Sequence, residues 1–422
     1  MNSLHGFRNF RLLACLFLSQ SASAQTASEY LGTAEMKFHF GDLDGASLDL
    51  TKAIMRDPAM MKAYYMRGNA KAGLQDLDGA TKDYDKALQL DPDFGLAYFG
   101  RGMVRQLNKD AGGAIADYTK AIELNVELAS AYQNRGRMRA LQGDDDGAIA
   151  DFLKAIEIVP DNADLYIERG LAEERKGRTF TALANFTKSI SIKPSAEAYG
   201  DRGLAKRRNR DYDGAIEDFT EAMTGEAENP LWIHDRAIAK DQKGDLDGAI
   251  DDYSKAIGMD ESDPLPYYHR GLAQERKGDF PAALADYEKA IVNGSAQPEQ
   301  YPRFQRCLVL ARLRHGDPFH ELSLAMTGWG SDWWQTAIGK YLVGGLSEKD
   351  LMDRASAEDG KEGNGRRCEA SYYVGMKRLL SGDRAGAGQS FEECLKTGRY
   401  EMAPYQCAET ELRRIPSPQP AP

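Results

Sequence analysis

The stretch YIERGLAEERKG, residues 166–177, returns almost unchanged as YYHRGLAQERKG at residues 267–278. Both copies read as amphipathic helix, and both place an Arg-Gly pair in the middle. The pair recurs at Arg67-Gly68, Arg101-Gly102, Arg135-Gly136, Arg169-Gly170, Arg202-Gly203 and Arg270-Gly271, and Arg236-Ala237 keeps the register where the glycine is missing. The spacing is 34 residues with a single step of 33. Twelve residues after each glycine position stands an alanine (Ala80, Ala114, Ala148, Ala182, Ala215, Ala249, Ala283). Four further on stands an aromatic, Tyr84, Tyr118, Phe152, Phe186, Phe219, Tyr253 or Tyr287. A period of this length marks stacked helical hairpins, each unable to bury its apolar face without a neighbour. Glycine in the first helix and alanine in the second let two backbones approach, and the aromatic fills the wedge beside them.

The arginine before the glycine varies together with an acid before the aromatic: Asp83, Asp117, Asp151, Asp218, Asp252 and Asp286, with Asn185 in the remaining unit. Opposite charges on facing helices predict an internal ladder through Arg67, Arg101, Arg135, Arg169, Arg202, Arg236 and Arg270, since a buried guanidinium needs a partner. The alternative is arginines that run out to solvent. The first unit carries Thr33 instead. The turns DLDGA predict Asp44, Asp78 and Asp247 as helix caps, and Pro58, Pro92, Pro160 and Pro194 separate successive hairpins.

This pattern resembles the tetratricopeptide repeat. The resemblance implies an all-α, right-handed α-solenoid of helix hairpins, with eight tandem units over residues 25–297. It also implies a concave groove lined by the first helix of each unit. Carried onto this chain, the groove positions include Tyr65, Asn69, Phe99, Met103, Gln133, Arg137, Arg175, Arg207, Arg208, His234, Tyr268 and Arg276. Each could equally serve packing between repeats. Arg207 and Arg208 belong to KRRNR at 206–210, which fits either a grip on partner carboxylates or favourable charge at a helix C-terminus.

Beyond residue 298 the period fails. QYPRFQRCLVLARLRHG, SDWWQTAIGKYLVGG and SEKDLMDRASA read as three helices, followed by a glycine-rich polar loop, EDGKEGNGRR, so that residues 298–367 form an irregular helical segment. Residues 368–414 then give a degenerate ninth hairpin, through Gly375, Ala387, Phe391 and Cys394, and a closing helix; 415–422 is a disordered tail. The order of parts over residues 329–414 resembles the C-terminal region of NlpI-type lipoproteins of Gram-negative bacteria. That resemblance implies a cell-envelope scaffold holding peptidoglycan hydrolases and a processing protease, often as a homodimer.

At the N-terminus, Arg8 and Arg11, the apolar run Leu12–Leu18 and Ala22-Ser23-Ala24 predict a signal peptide over residues 1–24 and export to the periplasm. Arg11 immediately before Leu12-Leu13-Ala14-Cys15 argues against a lipid anchor at Cys15. No apolar run approaches the ~18 residues of a membrane helix. Cleavage moves the net charge from −11 to −13, a poor balance for neutralising nucleic-acid phosphates. Cys307, Cys368, Cys394 and Cys407 remain. Cys368 and Cys394 fall at one end of the ninth hairpin, so a Cys368–Cys394 bridge, a Cys394–Cys407 bridge and unpaired core thiols all stay open.

Catalytic and metal motifs are not found. His320-Glu321 lacks a second histidine, because Leu324 occupies its place. DDDG at 144–147 lacks the later acids of a calcium loop. The expectation is therefore a non-enzymatic scaffold without cofactor or metal that binds a protein or peptide partner. The other reading is an assembly factor that self-associates through the C-terminal cap and its Trp329, Trp333 and Trp334.

Overall fold

The computed structural model describes residues 25–224, 229–294, 300–327, 329–330 and 333–415. The expected signal peptide and most of the expected tail lie outside these residues. The chain divides into two compact units, Met1–Lys193 and Pro194–Pro422.

In the first unit ten helices pair in sequence: α1 (Ala27–His39), α2 (Leu43–Arg56), α3 (Met61–Gly73), α4 (Leu77–Leu90), α5 (Gly95–Leu107), α6 (Ala111–Glu123), α7 (Leu128–Leu141), α8 (Asp145–Ile158), α9 (Ala163–Arg175) and α10 (Thr179–Ile192). The second unit continues with three hairpins: α11 (Ala196–Arg208), α12 (Tyr212–Ala222), α13 (Pro230–Lys243), α14 (Leu246–Met259), α15 (Pro264–Lys277) and α16 (Phe280–Asn293). Then come α17 (Gln300–Arg312), α18 (Pro318–Ala325), α19 (Trp334–Leu342), α20 (Glu348–Ala355), a last hairpin of α21 (Gly360–Leu380) and α22 (Arg384–Lys396), and α23 (Ala403–Arg414). The architecture is an all-α solenoid of helix hairpins whose C-terminal helices form a cap.

Most hairpins close on the same contact, glycine against an aromatic ring. A Cβ at Gly136 would lie 2.8 Å from the Phe152 ring, and one at Gly68 equally close to Tyr84. The rings are fully buried, so glycine there is a packing requirement. Gly375 stands in the same relation to Phe391 in the last hairpin.

The arginines lie between helices and bond both ways. Arg135 donates through Nε and Nη2 to the two oxygens of Asp151, at 2.9 and 2.7 Å, and through Nη1 to Thr119 Oγ1 of the preceding hairpin at 3.0 Å. Arg67, Arg236 and Arg270 repeat this with Asp83, Asp252 and Asp286, and each reaches a hydroxyl sixteen residues back, on Thr51, Thr220 or Ser254. Arg101 pairs with Asp117 and reaches back to Asp85; Arg202 pairs with Asp218. A tyrosine three residues before the arginine lies under the guanidinium at Arg67, Arg101, Arg135, Arg202 and Arg270. A second cation one turn on, Lys71, Arg105, Arg139, Lys206 or Lys240, also holds the aspartate.

The fifth hairpin departs from this arrangement. Asn185 turns its amide to the Thr181 carbonyl, and Arg169 is left with Glu173 at 3.8 Å while its Nε is buried without an acceptor. Glu173 occupies the second-cation position, so the acid has moved from the second helix to the first. The ladder expected through Arg169 is interrupted there.

Two expectations need correction. The caps are Asp42, Asp76 and Asp245, two residues earlier than Asp44, Asp78 and Asp247; each accepts the backbone N–H of the glycine three residues on. A Cβ on Gly45 would fall 2.1 Å from the Asp42 carboxylate, which is why glycine follows the cap. The glycine-rich stretch expected as a loop is the first part of α21. A Cβ at Gly363 would lie 1.9 Å from the Glu358 carbonyl oxygen, so the glycines let the chain fold tightly against its own entry. Arg366 then pairs with Glu358 and Glu362, at 2.9 and 3.2 Å.

Candidate partner-binding surface

In the first unit several expected groove residues are committed to packing. Tyr65 stands edge-on to Phe94 at 5.1 Å, Asn69 accepts the Tyr84 hydroxyl at 2.6 Å, and Phe99 lies against Tyr118. Gln133 and Arg137 both hold Glu168 of the next hairpin, at 2.9 and 2.8 Å. Arg175 reaches Asp145 at 2.7 Å.

This face leaves large apolar side chains to solvent. Met103 is 47% exposed, Leu107 57% and Leu141 77%. Met103 and Leu107 are one turn apart on α5 and share a face. Leu141 of α7 is the repeat equivalent of Leu107, and the exposed Arg137 that of Met103. Sequence reasoning named Met103 and Arg137 and missed Leu107 and Leu141, although the 34-residue spacing carries both.

In the second unit the expected groove is largely covered by the chain itself. Tyr268 packs against the C-terminal core. Arg276 donates to Asp241 at 2.6 Å and to Gln406 and Thr410 of α23, and Arg414 of α23 donates to the Glu275 and Arg276 carbonyls. The open groove expected at Tyr268 and Arg276 is thus corrected: α23 lies over α15. His234 stacks on His269, ring nitrogens 3.0 Å apart. Burial pushes His234 below the usual imidazole range and His269 down to about 3.

Glu369 accepts from Trp334 and Tyr301 inside the cap, and burial raises its carboxyl. Trp329 and Trp334 pack on the C-terminal core; Trp333 is 52% exposed. Cys368 and Cys394 come together as buried thiols with sulfurs 3.3 Å apart, and Cys307 and Cys407 are buried thiols elsewhere in that core. Among the described residues no three or more His, Cys, Asp or Glu side chains form a group that could hold a metal. None of the described helices is long and apolar enough to cross a membrane.

Hairpins closed by glycine on an aromatic, at this period, define a helical repeat protein. Three stretches of this chain carry the tetratricopeptide repeat. Models of that repeat match residues 62–94, 136–177 and 242–278. Among solved structures, the C-terminal part of a repeat-containing protein of Cytophaga hutchinsonii is 17% identical. It covers 56% of this chain and 97% of its own, with a TM-score of 0.50. YrrB, described as a TPR protein with an unusual peptide-binding site, is 22% identical over 44% of this chain and 96% of its own, TM-score 0.41. PilF of Pseudomonas aeruginosa is 19% identical over 49% and 93%, TM-score 0.41. Comparison with curated protein sequences finds no match.

Proposed function

We propose that this protein is a non-enzymatic scaffold that holds a protein or peptide partner on the first-helix face of its N-terminal unit. The observation that carries the reading is the run of exposed Met103, Leu107 and Leu141 beside Arg137. Large apolar side chains left in water at equivalent positions of successive hairpins lose nothing to packing and gain by being covered. The finer setting is a periplasmic adaptor of the cell envelope, around peptidoglycan hydrolases or a protease. It is supported by the signal-peptide pattern of residues 1–24 and by the likeness of residues 329–414 to NlpI-type lipoproteins.

The test is a photo-crosslinking residue at Leu107 in intact cells, with and without Met103→Glu and Leu141→Glu. The double variant should lose at least about tenfold in crosslinked partner while its melting temperature stays within a few degrees. Equal yields from both proteins would refute the assignment of this face. A partner captured outside the envelope fraction would refute the finer setting.

A further inference from the structure

In the second unit a cavity of about 520 Å³ opens between the repeats and the last hairpin. Arg207 and Arg208 at the end of α11, Gln242 of α13, Lys361 at the start of α21, and Arg399 and Tyr400 of the turn before α23 line it. Four cations and one acid, Glu401, line it, and that acid is held by Arg399 at 2.6 Å. The chain as a whole carries a formal charge of −11, so such a concentration of positive charge is local and specific.

Arg207 is the informative member. Arg202, on the same helix, has both oxygens of Asp218 at 2.7–2.9 Å. The Arg207 side chain is only 17% exposed, yet its nearest carboxylate is Asp235 at 3.7 Å. Its Nε is buried with no hydrogen-bond acceptor. A guanidinium this far out of water is costly unless two oxygens meet its fork, and Arg207 lines an open cavity. The walls are tied together: the Tyr400 hydroxyl donates to the Arg208 carbonyl at 2.8 Å, and Arg210 lies 4.9 Å over the Tyr400 ring. The cleft is therefore preformed, and a ligand gains its contacts without ordering the site.

We propose that this cleft receives an acidic stretch of a partner polypeptide, one carboxylate seated on Arg207 and neighbouring ones on Lys361 and Arg399. The volume admits consecutive side chains rather than a lone ion. The acidic remainder of the surface repels a long phosphate polymer, whose binding depends on many cations. The proposal rests on the scaffold reading above and adds the chemistry of what is held at a second place.

The probe is fluorescein-labelled hexaglutamate, titrated with the full chain at low ionic strength and followed by anisotropy, with hexaglutamine as control. Hexaglutamate should bind and hexaglutamine should not. Lys361 is exposed, so Lys361→Glu leaves the fold intact and should weaken binding about tenfold. Arg207→Lys keeps the charge and loses the fork, and should weaken it about fivefold. Leu141→Glu should leave it unchanged. Equal binding of the two peptides, or no effect of Lys361→Glu, overturns the proposal. Displacement by glutarate or inorganic phosphate at concentrations equal to the peptide would reassign the cleft to a small anion and overturn it as well. If hexaglutamate fails while crosslinking at Leu107 persists, this site falls and the scaffold reading stands.

Discussion

Replacing Arg135 with leucine should cost far more than replacing Arg169, although the two occupy equivalent positions. Asp151 is 2% exposed and is held by Arg135 at 2.7 and 2.9 Å and by Arg139 at 2.8 Å. Removing one member of a buried pair costs about 3–5 kcal/mol, mostly from the charge left behind. Arg139 still holds one Asp151 oxygen, which puts Arg135→Leu near the lower end, about 3 kcal/mol. Arg169 faces Asn185 and has only Glu173 at 3.8 Å. Its loss strands no carboxylate on the second helix, and leucine fills the same space, so Arg169→Leu should stay within about 1 kcal/mol. A repeat array can open hairpin by hairpin, which spoils a two-state analysis. Native-state hydrogen exchange of α7–α10 amides avoids that difficulty. About 3 kcal/mol appears as roughly a hundredfold faster exchange in α7 and α8 for Arg135→Leu. Equal effects of the two substitutions would refute the claim that the aspartate makes the arginine structural.

Gly136→Ala forces a methyl to within 2.8 Å of the buried Phe152 ring and should destabilise by about 1–3 kcal/mol. A calorimetric scan showing no loss would mean the ring can move aside. The pH response of His269 has a definite sign. Its folded value, about 3, lies below the ordinary 6.5, so below pH 6.5 the unfolded chain takes a proton the buried ring refuses. Stability then falls as pH falls, by about 1.4 kcal/mol per unit and about 2 kcal/mol by pH 5. Glu275 acts oppositely: burial raises it to about 7, so it favours the folded state as pH drops from 7 toward 4.5. His269→Gln isolates the first effect. Relative to the parent, urea unfolding should find it about 2 kcal/mol better placed at pH 5 than at pH 7.5, and an identical difference at both would refute the assignment.

The period and the charge pairing were legible because both follow from one residue type repeated at one spacing. The arginine and aspartate columns already carry the contact between Arg135 and Asp151. The swap at Glu173 and Asn185 was not, because an acid standing where the other units carry a second cation does not by itself say which arginine it meets. The caps slipped by two residues because DLDGA offers two aspartates. Only the packing of Gly45 against Asp42 distinguishes them, and that is a three-dimensional fact. EDGKEGNGRR looked like loop from its glycines alone; its helix depends on the close approach of Gly363 to Glu358 and on the ion pairs of Arg366. At the candidate surface, Met103 and Arg137 were accessible from position. The covering of Arg276 by α23 joins residues more than a hundred apart, and no periodic signal announces it.

The backward bonds of Arg67, Arg135, Arg236 and Arg270 make four of the junctions between hairpins chemically alike: a fork on one module, a hydroxyl on the module before. A cut and rejoining of the gene in step with the period would therefore regenerate a sound joint. Lengthening or shortening in whole modules is open to this chain, and a duplication out of step is not. The fifth hairpin, which lacks the shared fitting, is where such an exchange would leave a visible scar.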